Sequence, residues 1–153
     1  MLEARIKAEL SGDRPYLILE KMKGIRALLD SGALFPVWVR DEKQLVESFG
    51  ARACGECVRF TVFGGKEITG TLYEVPLFTL AETLFFTNLP VIAAKDASED
   101  DTAILLPATM FKGMVVTLDP LKDEMLLKIL DGQPSRRLKV TDKDGDIRIL
   151  TVT

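Results

Sequence analysis

The 153-residue sequence predicts a mainly β domain, a small closed β-barrel with two or three short helices. Three observations predict it. Apolar runs come in pairs around polar, glycine-bearing tips at Gly24, Gly64-Gly65 and Gly145, as β-hairpins require. Helix start and stop signals fall close together, so any helix is short. Hydrophobic residues make up 47% and charged residues 28%, enough apolar surface for a packed core and unlike a disordered chain. The length fits one domain, taken as residues 1–153, with residues 120–153 as a C-terminal extension carrying a hairpin.

Residues 16–20 and 25–29 are apolar runs around Lys21, Met22, Lys23 and Gly24, the pattern of a first hairpin. After Asp30-Ser31-Gly32, residues 34–39 form a buried extended stretch in which Pro36 weakens a regular ladder. Asp41 is an N-cap for a helix over residues 42–49, and Gly50 is its stop. Residues 58–63 and 68–75 flank Gly64-Gly65-Lys66 as a second hairpin. Residues 84–92 are apolar, 95–102 read as a solvated loop, and 103–106 as a short buried strand. Pro107 suits the first turn of a short helix ended by Gly113, followed by a strand over 114–118. Residues 121–130 are amphipathic, and 137–141 with 147–152 form a third hairpin.

Several functions are excluded at this level. The net charge of -3 offers no broad basic surface, so no nucleic-acid partner is expected. No window reaches the roughly 18 apolar residues of a membrane span, and residues 1–13 are too charged for a secretory signal, so a cytoplasmic location is expected. Cys54 and Cys57 form one C-x-x-C without a second ligand pair, which favours two reduced thiols in or beside a strand over a metal or redox centre. The chain has no histidine, which removes Ser-His-Asp and Cys-His mechanisms and histidine-bearing zinc sites. Acid-base chemistry then rests on carboxylates, lysines, tyrosines or thiols.

One segment concentrates chemistry. In residues 27–33, Asp30 follows three apolar residues and is followed at once by Ser31, Gly32 and Ala33. Burial against a strand disfavours the charged carboxylate, which then needs hydrogen bonds or a partner with which to share a proton. A serine hydroxyl and a tight glycine turn supply such bonds and permit close backbone approach. By itself Asp-Ser-Gly is also a common turn.

In its context this segment resembles the retropepsin family of aspartic proteases, over residues 15–119. The resemblance rests on a hairpin leading into the Asp30-Ser31-Gly32-Ala33 strand end, and on a glycine-tipped hairpin resembling the family's flap at Phe63, Gly64, Gly65 and Lys66. A later apolar segment with Leu105, Leu106, Pro107 and Ala108 is similar to the family's ψ-loop strand, and residues 114–118 to the strand after it. The chain departs from the family at Pro107, where glycine is usual, and at Ala108, where retroviral members carry arginine. The resemblance implies a barrel of the acid-protease type, an aspartic endopeptidase, a peptide or protein substrate, and no cofactor or metal.

The family's chemistry uses two carboxyls sharing a proton, one acting as base on water and the other as acid toward the scissile carbonyl. The sequence holds a single Asp-Ser-Gly, so the resemblance implies a homodimer with Asp30 from each copy. Ser31 then fixes the paired loops, Gly32 admits the substrate backbone, and the tip from Phe63 to Lys66 closes over an extended peptide. Two other readings fit the same residues. One keeps the fold as an inactive peptide-binding or assembly module, and the other is an unrelated β-barrel in which Asp-Ser-Gly is only a turn.

Overall fold

The computed structural model describes the chain except residues 1, 31–32, 34, 62–64, 66, 82–83, 95–100, 130–135, 142–146 and 153. For residues 2, 60–61, 129, 136–141 and 147–152 it describes the backbone alone. The fold is mainly β, as the paired apolar runs predict. Its strands are β1 (Leu2–Glu9), β2 (Tyr16–Leu19), β3 (Ile25–Asp30), β4 (Val37–Trp38), β5 (Arg52–Thr61) and β6 (Glu67–Ala81). They continue with β7 (Leu84–Ala93), β8 (Ile104–Pro107), β9 (Met114–Asp119), β10 (Glu124–Ile129), β11 (Arg136–Thr141) and β12 (Ile147–Val152). One α-helix, α1 (Glu42–Phe49), and two 3-10 turns, Glu20–Met22 and Ala108–Phe111, complete the described elements.

Local chemistry accounts for several boundaries. The β2–β3 hairpin turns through Lys23 and Gly24, both left-handed at φ 64° and 70°, and pairs Tyr16 with Leu28. Helix α1 starts where the Asp41 carboxylate accepts the Lys43 N–H at 2.9 Å. It stops at Gly50, whose φ of 67° is left-handed. Its buried Leu45 packs into the core beside Trp38, and the Trp38 and Phe49 rings meet edge to face with centroids 5.6 Å apart.

Strands β1 to β10 make one sheet of order β5-β6-β7-β4-β8-β3-β2-β1-β10-β9, and β11 pairs with β12 separately. The expected closed barrel is therefore corrected: among the described residues the sheet ends on two edges, β5 and β9. The cause lies in β1, which residue 8 divides. Ala8 and Glu9 pair with β2, whereas Leu2 to Lys7 pair with β10, so β10 and β9 extend the sheet rather than close it. The amphipathic residues 121–130 belong to this extension as β10, and part of the expected C-terminal extension thus lies in the main sheet.

Pro107 is also corrected. It ends strand β8 with extended torsions, φ -77° and ψ 152°, and the 3-10 turn begins after it. Proline's fixed φ suits either place, and three apolar residues before it hold the chain in the sheet. The third hairpin forms as β11 and β12, with Leu138 opposite Leu150.

The core lies on both faces of the central strands. Ala27, Trp38, Ile104 and Leu106 face one cluster with Leu17, Leu19, Met125 and Leu127; Leu28, Val37 and Leu105 face a second with Val58, Ile68 and Leu72. That is why β8, and residues 27–29 of β3, read as unbroken apolar runs instead of alternating ones. Full burial of each such side chain stabilises the fold by about 1.5–3 kcal/mol.

Candidate active site

Asp30 is the last residue of β3, and its position follows from the unusual path around it. Strand β8 lies between β3 and β4, parallel to the first and antiparallel to the second. The ends Asp30 of β3 and Val37 of β4 therefore belong to strands that are not neighbours but lie on either side of β8, two strand spacings or about 10 Å apart. The crossing from one to the other starts where β8 ends, since Asp30 is in register with Pro107, one step beyond the Leu29 and Leu106 pair.

Backbone bonds fix both ends of the crossing. The Leu29 N–H donates to the Pro15 carbonyl at 3.0 Å, and the Ala33 N–H to the Asp30 carbonyl at 3.1 Å, a bond of the kind that closes β-turns. On the far side, the Ile92 N–H reaches the Pro36 carbonyl and the Val39 N–H the Ala103 carbonyl, at 3.0 and 2.9 Å. Asp30 is half-buried at this end of the sheet.

Strand alternation gives Asp30 a face. Ala27 and Leu29 pack on the first core cluster and Leu28 on the second, so Asp30, two residues beyond Leu28, belongs to the second face. Val58 of β5 and Ile68 and Leu72 of β6 cover that face. The β5–β6 hairpin thus lies on the same side of the sheet as the carboxylate. Its ladder runs to Thr61 opposite Glu67, and Gly65 in the tip is exposed at φ 78°.

The expected site residues divide as follows. Asp30, Ala33, Leu105, Leu106, Pro107 and Ala108 come together through the β3–β8 register and the Ala33 to Asp30 bond. Leu105, Leu106 and Pro107 are buried and Ala108 is exposed. Ser31, Gly32, Phe63, Gly64 and Lys66 lie outside the described residues, as does Leu34. Trp38 is core, as the buried stretch over 34–39 predicts, and Phe85 is 54% exposed because β7 alternates there and turns Phe86 inward.

Other chemistry lies elsewhere. Both cysteines are free, on β5. The Tyr73 hydroxyl donates to the Glu42 carboxylate at 2.8 Å, and that bond, with burial and the Glu42 charge, pushes the phenol above its ordinary range. Sequence reading missed this pair, because no local signal links positions on a helix and a distant strand. Arg26 stacks over Tyr16 at 3.9 Å and pairs with Glu9 at 3.2 Å, which ties β3 to β1. Among the described residues no three Cys, Asp or Glu side chains gather as a metal site would need, and no helix is long and apolar enough to cross a membrane. Comparison with protein-family models, curated proteins and solved structures gives no match.

Proposed function

We propose that the chain is a retropepsin-like aspartic endopeptidase that works as a homodimer, each copy supplying Asp30 to a water-activating dyad. The observation that carries this reading is the strand crossing: Asp30 caps β3 level with Pro107 of the inserted β8, on the sheet face that the β5–β6 hairpin covers. A carboxylate at the end of a buried strand, under a hairpin that can exclude water, has the surroundings that acid-base hydrolysis of a peptide requires. The likeness to the retropepsin fold rests on this crossing and not on barrel closure.

Two copies are required because the sequence has a single Asp-Ser-Gly. In the paired state one carboxyl draws a proton from bound water while the other, protonated, donates to the scissile carbonyl oxygen. The water oxygen bonds to the carbonyl carbon, and collapse of the tetrahedral adduct expels the amine with a proton from the dyad. Edge strand β9 favours association, since its backbone is open on one side and Val115, Val116 and Leu118 are exposed along it.

A second reading has one observation in its favour. Ala108 is exposed and uncharged beside Pro107, so it supplies no ion pair between copies, as suits a peptide-binding or assembly module without catalysis. The experiment compares wild type with Asp30→Asn, whose amide is nearly isosteric but cannot share a carboxyl proton. Both proteins are melted, sedimented and assayed on a mixed peptide library from acid to neutral pH. Wild type should cleave, and the variant should lose cleavage while keeping its melting and association. Equal cleavage by both proteins removes Asp30 from catalysis. Dimers of both without any cleavage favour the module.

A further inference from the structure

We propose that Cys54 and Cys57 are a reversible dithiol-disulfide site that clamps a bulge in β5, a property independent of whether Asp30 is catalytic. The register of the β5–β6 ladder carries this. Ala53 pairs with Tyr73, and the next pair is Cys57 with Thr71, so four steps along β5 are matched by two along β6. At about 3.3 Å per strand residue, those four steps would span roughly 13 Å if extended, yet they fit beside about 7 Å of partner strand. The extra chain must fold back on itself between Cys54 and Cys57.

Gly55 makes the fold possible, with a left-handed φ of 72° that a residue with a side chain rarely adopts. Compression of this kind brings the two cysteine Cα atoms toward the roughly 4.4–6.8 Å that a disulfide spans, a separation that a regular strand denies to residues three apart. Both thiols are reachable from solvent, Cys54 being exposed and Cys57 half-buried. The Cys54 thiol donates to the Arg52 carbonyl at 3.9 Å, a weak contact that does not hold it away. A metal is the poorer occupant, since two thiolates fall short of the usual four ligands and no third donor joins them among the described residues.

The oxidant is a low-molecular-weight disulfide such as glutathione disulfide. The Cys57 thiolate attacks one of its sulfurs, forming a mixed disulfide and releasing one glutathione thiolate. Cys54 then loses its proton to solvent and attacks the Cys57 sulfur, closing the protein disulfide and releasing the second glutathione. Two protein thiols are oxidised by two electrons, and one small disulfide is reduced to two thiols. Partial desolvation, Glu74 and Glu56 push the Cys54 thiol upward, and its attack is the second, intramolecular one, which the bulge brings within reach. A closed Cys54–Cys57 link fixes the bulge on the edge strand of the hairpin.

The test equilibrates the full chain with glutathione and glutathione disulfide at graded ratios, folded and in concentrated urea, then alkylates and weighs it. The folded chain should lose two hydrogens as an intramolecular disulfide, with an equilibrium constant at least about tenfold above that of the unfolded chain, because the bulge holds the thiols together. Amide exchange at residues 58–61 should slow on oxidation. Cys57→Ser should yield only a mixed disulfide at Cys54 or none. A folded constant equal to or below the unfolded one, or oxidation only between chains, overturns the proposal.

Discussion

Gly70→Ala is the substitution whose consequence the structure sets most sharply. Gly70 lies in β6 between Val58 of β5 and the β7 backbone, and a methyl there would sit 2.4 Å from Ile92 Cγ2 and 2.8 Å from the Ala93 carbonyl oxygen. Neither neighbour gives way easily. Ile92 is 1% exposed and β-branched, so its χ1 is restricted, while the Ala93 oxygen is ladder backbone. Overpacking of this kind costs about 1–3 kcal/mol, and the opposing gain from a less flexible unfolded chain is about 0.4–1 kcal/mol. The clash wins by roughly 1–2 kcal/mol, which for a chain of this length lowers the melting temperature by about 2–8 °C. Thermal unfolding followed by circular dichroism measures it, with Gly12→Ala as the control, since a methyl there meets nothing within 4 Å. Gly70→Ala melting at or above wild type would show that β6 and β7 are not packed this closely.

Tyr73→Phe should narrow its stability deficit at alkaline pH. The folded phenol is raised above its ordinary value of about 10 by its bond to Glu42, by burial and by the Glu42 charge. Below pH ~10 both states keep the proton and the bond contributes fully; above it the unfolded chain ionises first and the contribution is lost as pH climbs through the folded pKa. Urea titrations at pH 8 and pH 11 measure the gap between wild type and variant, and a gap that fails to shrink contradicts the argument. Leu106→Ala, at a site with 0% exposure, should cost about 2–5 kcal/mol, whereas Leu121→Ala, at 99% exposure, should stay within about 0.5 kcal/mol. Equal effects of the two would mean that β8 is not core.

Much of the fold was legible because its signals are local. The Lys23 and Gly24 turn, the Asp41 cap, the Gly50 stop and the third hairpin each depend on a few adjacent residues, and each forms where the sequence places it. Strand β1 shows a different failure. Ala4, Ile6 and Ala8 are buried and alternate with exposed Glu3, Arg5, Lys7 and Glu9, a period of two that the sequence carries but that the charge of the segment masks. The closed barrel could not be checked locally, because closure depends on which strand β1 pairs with, and residues 2–7 choose β10, more than a hundred positions away. The same holds for the site. Asp30 was legible as a carboxylate ending an apolar run, but its register with Pro107 and its side of the sheet come from long-range pairing, and so does the bulge that sets the cysteines apart from an ordinary strand.

The departure at Pro107 turns on one missing donor. Strand β8 is buried on both faces between β3 and β4, so each of its N–H groups needs an acceptor in the ladder or in a side chain. At the position level with Asp30 the chain carries proline and offers no N–H. Proline at this place ends the ladder without leaving an unpaired N–H. The chain then passes into the 3-10 turn, anchored by buried Met110 and Phe111. Pro107 thus fits the end of the strand, and for the proposed dimer the departure that bears on pairing is Ala108. An exposed alanine contributes no charge across a two-fold, so the proposed association would draw on apolar and backbone contacts instead, and sedimentation over a graded concentration series measures whether copies pair at all.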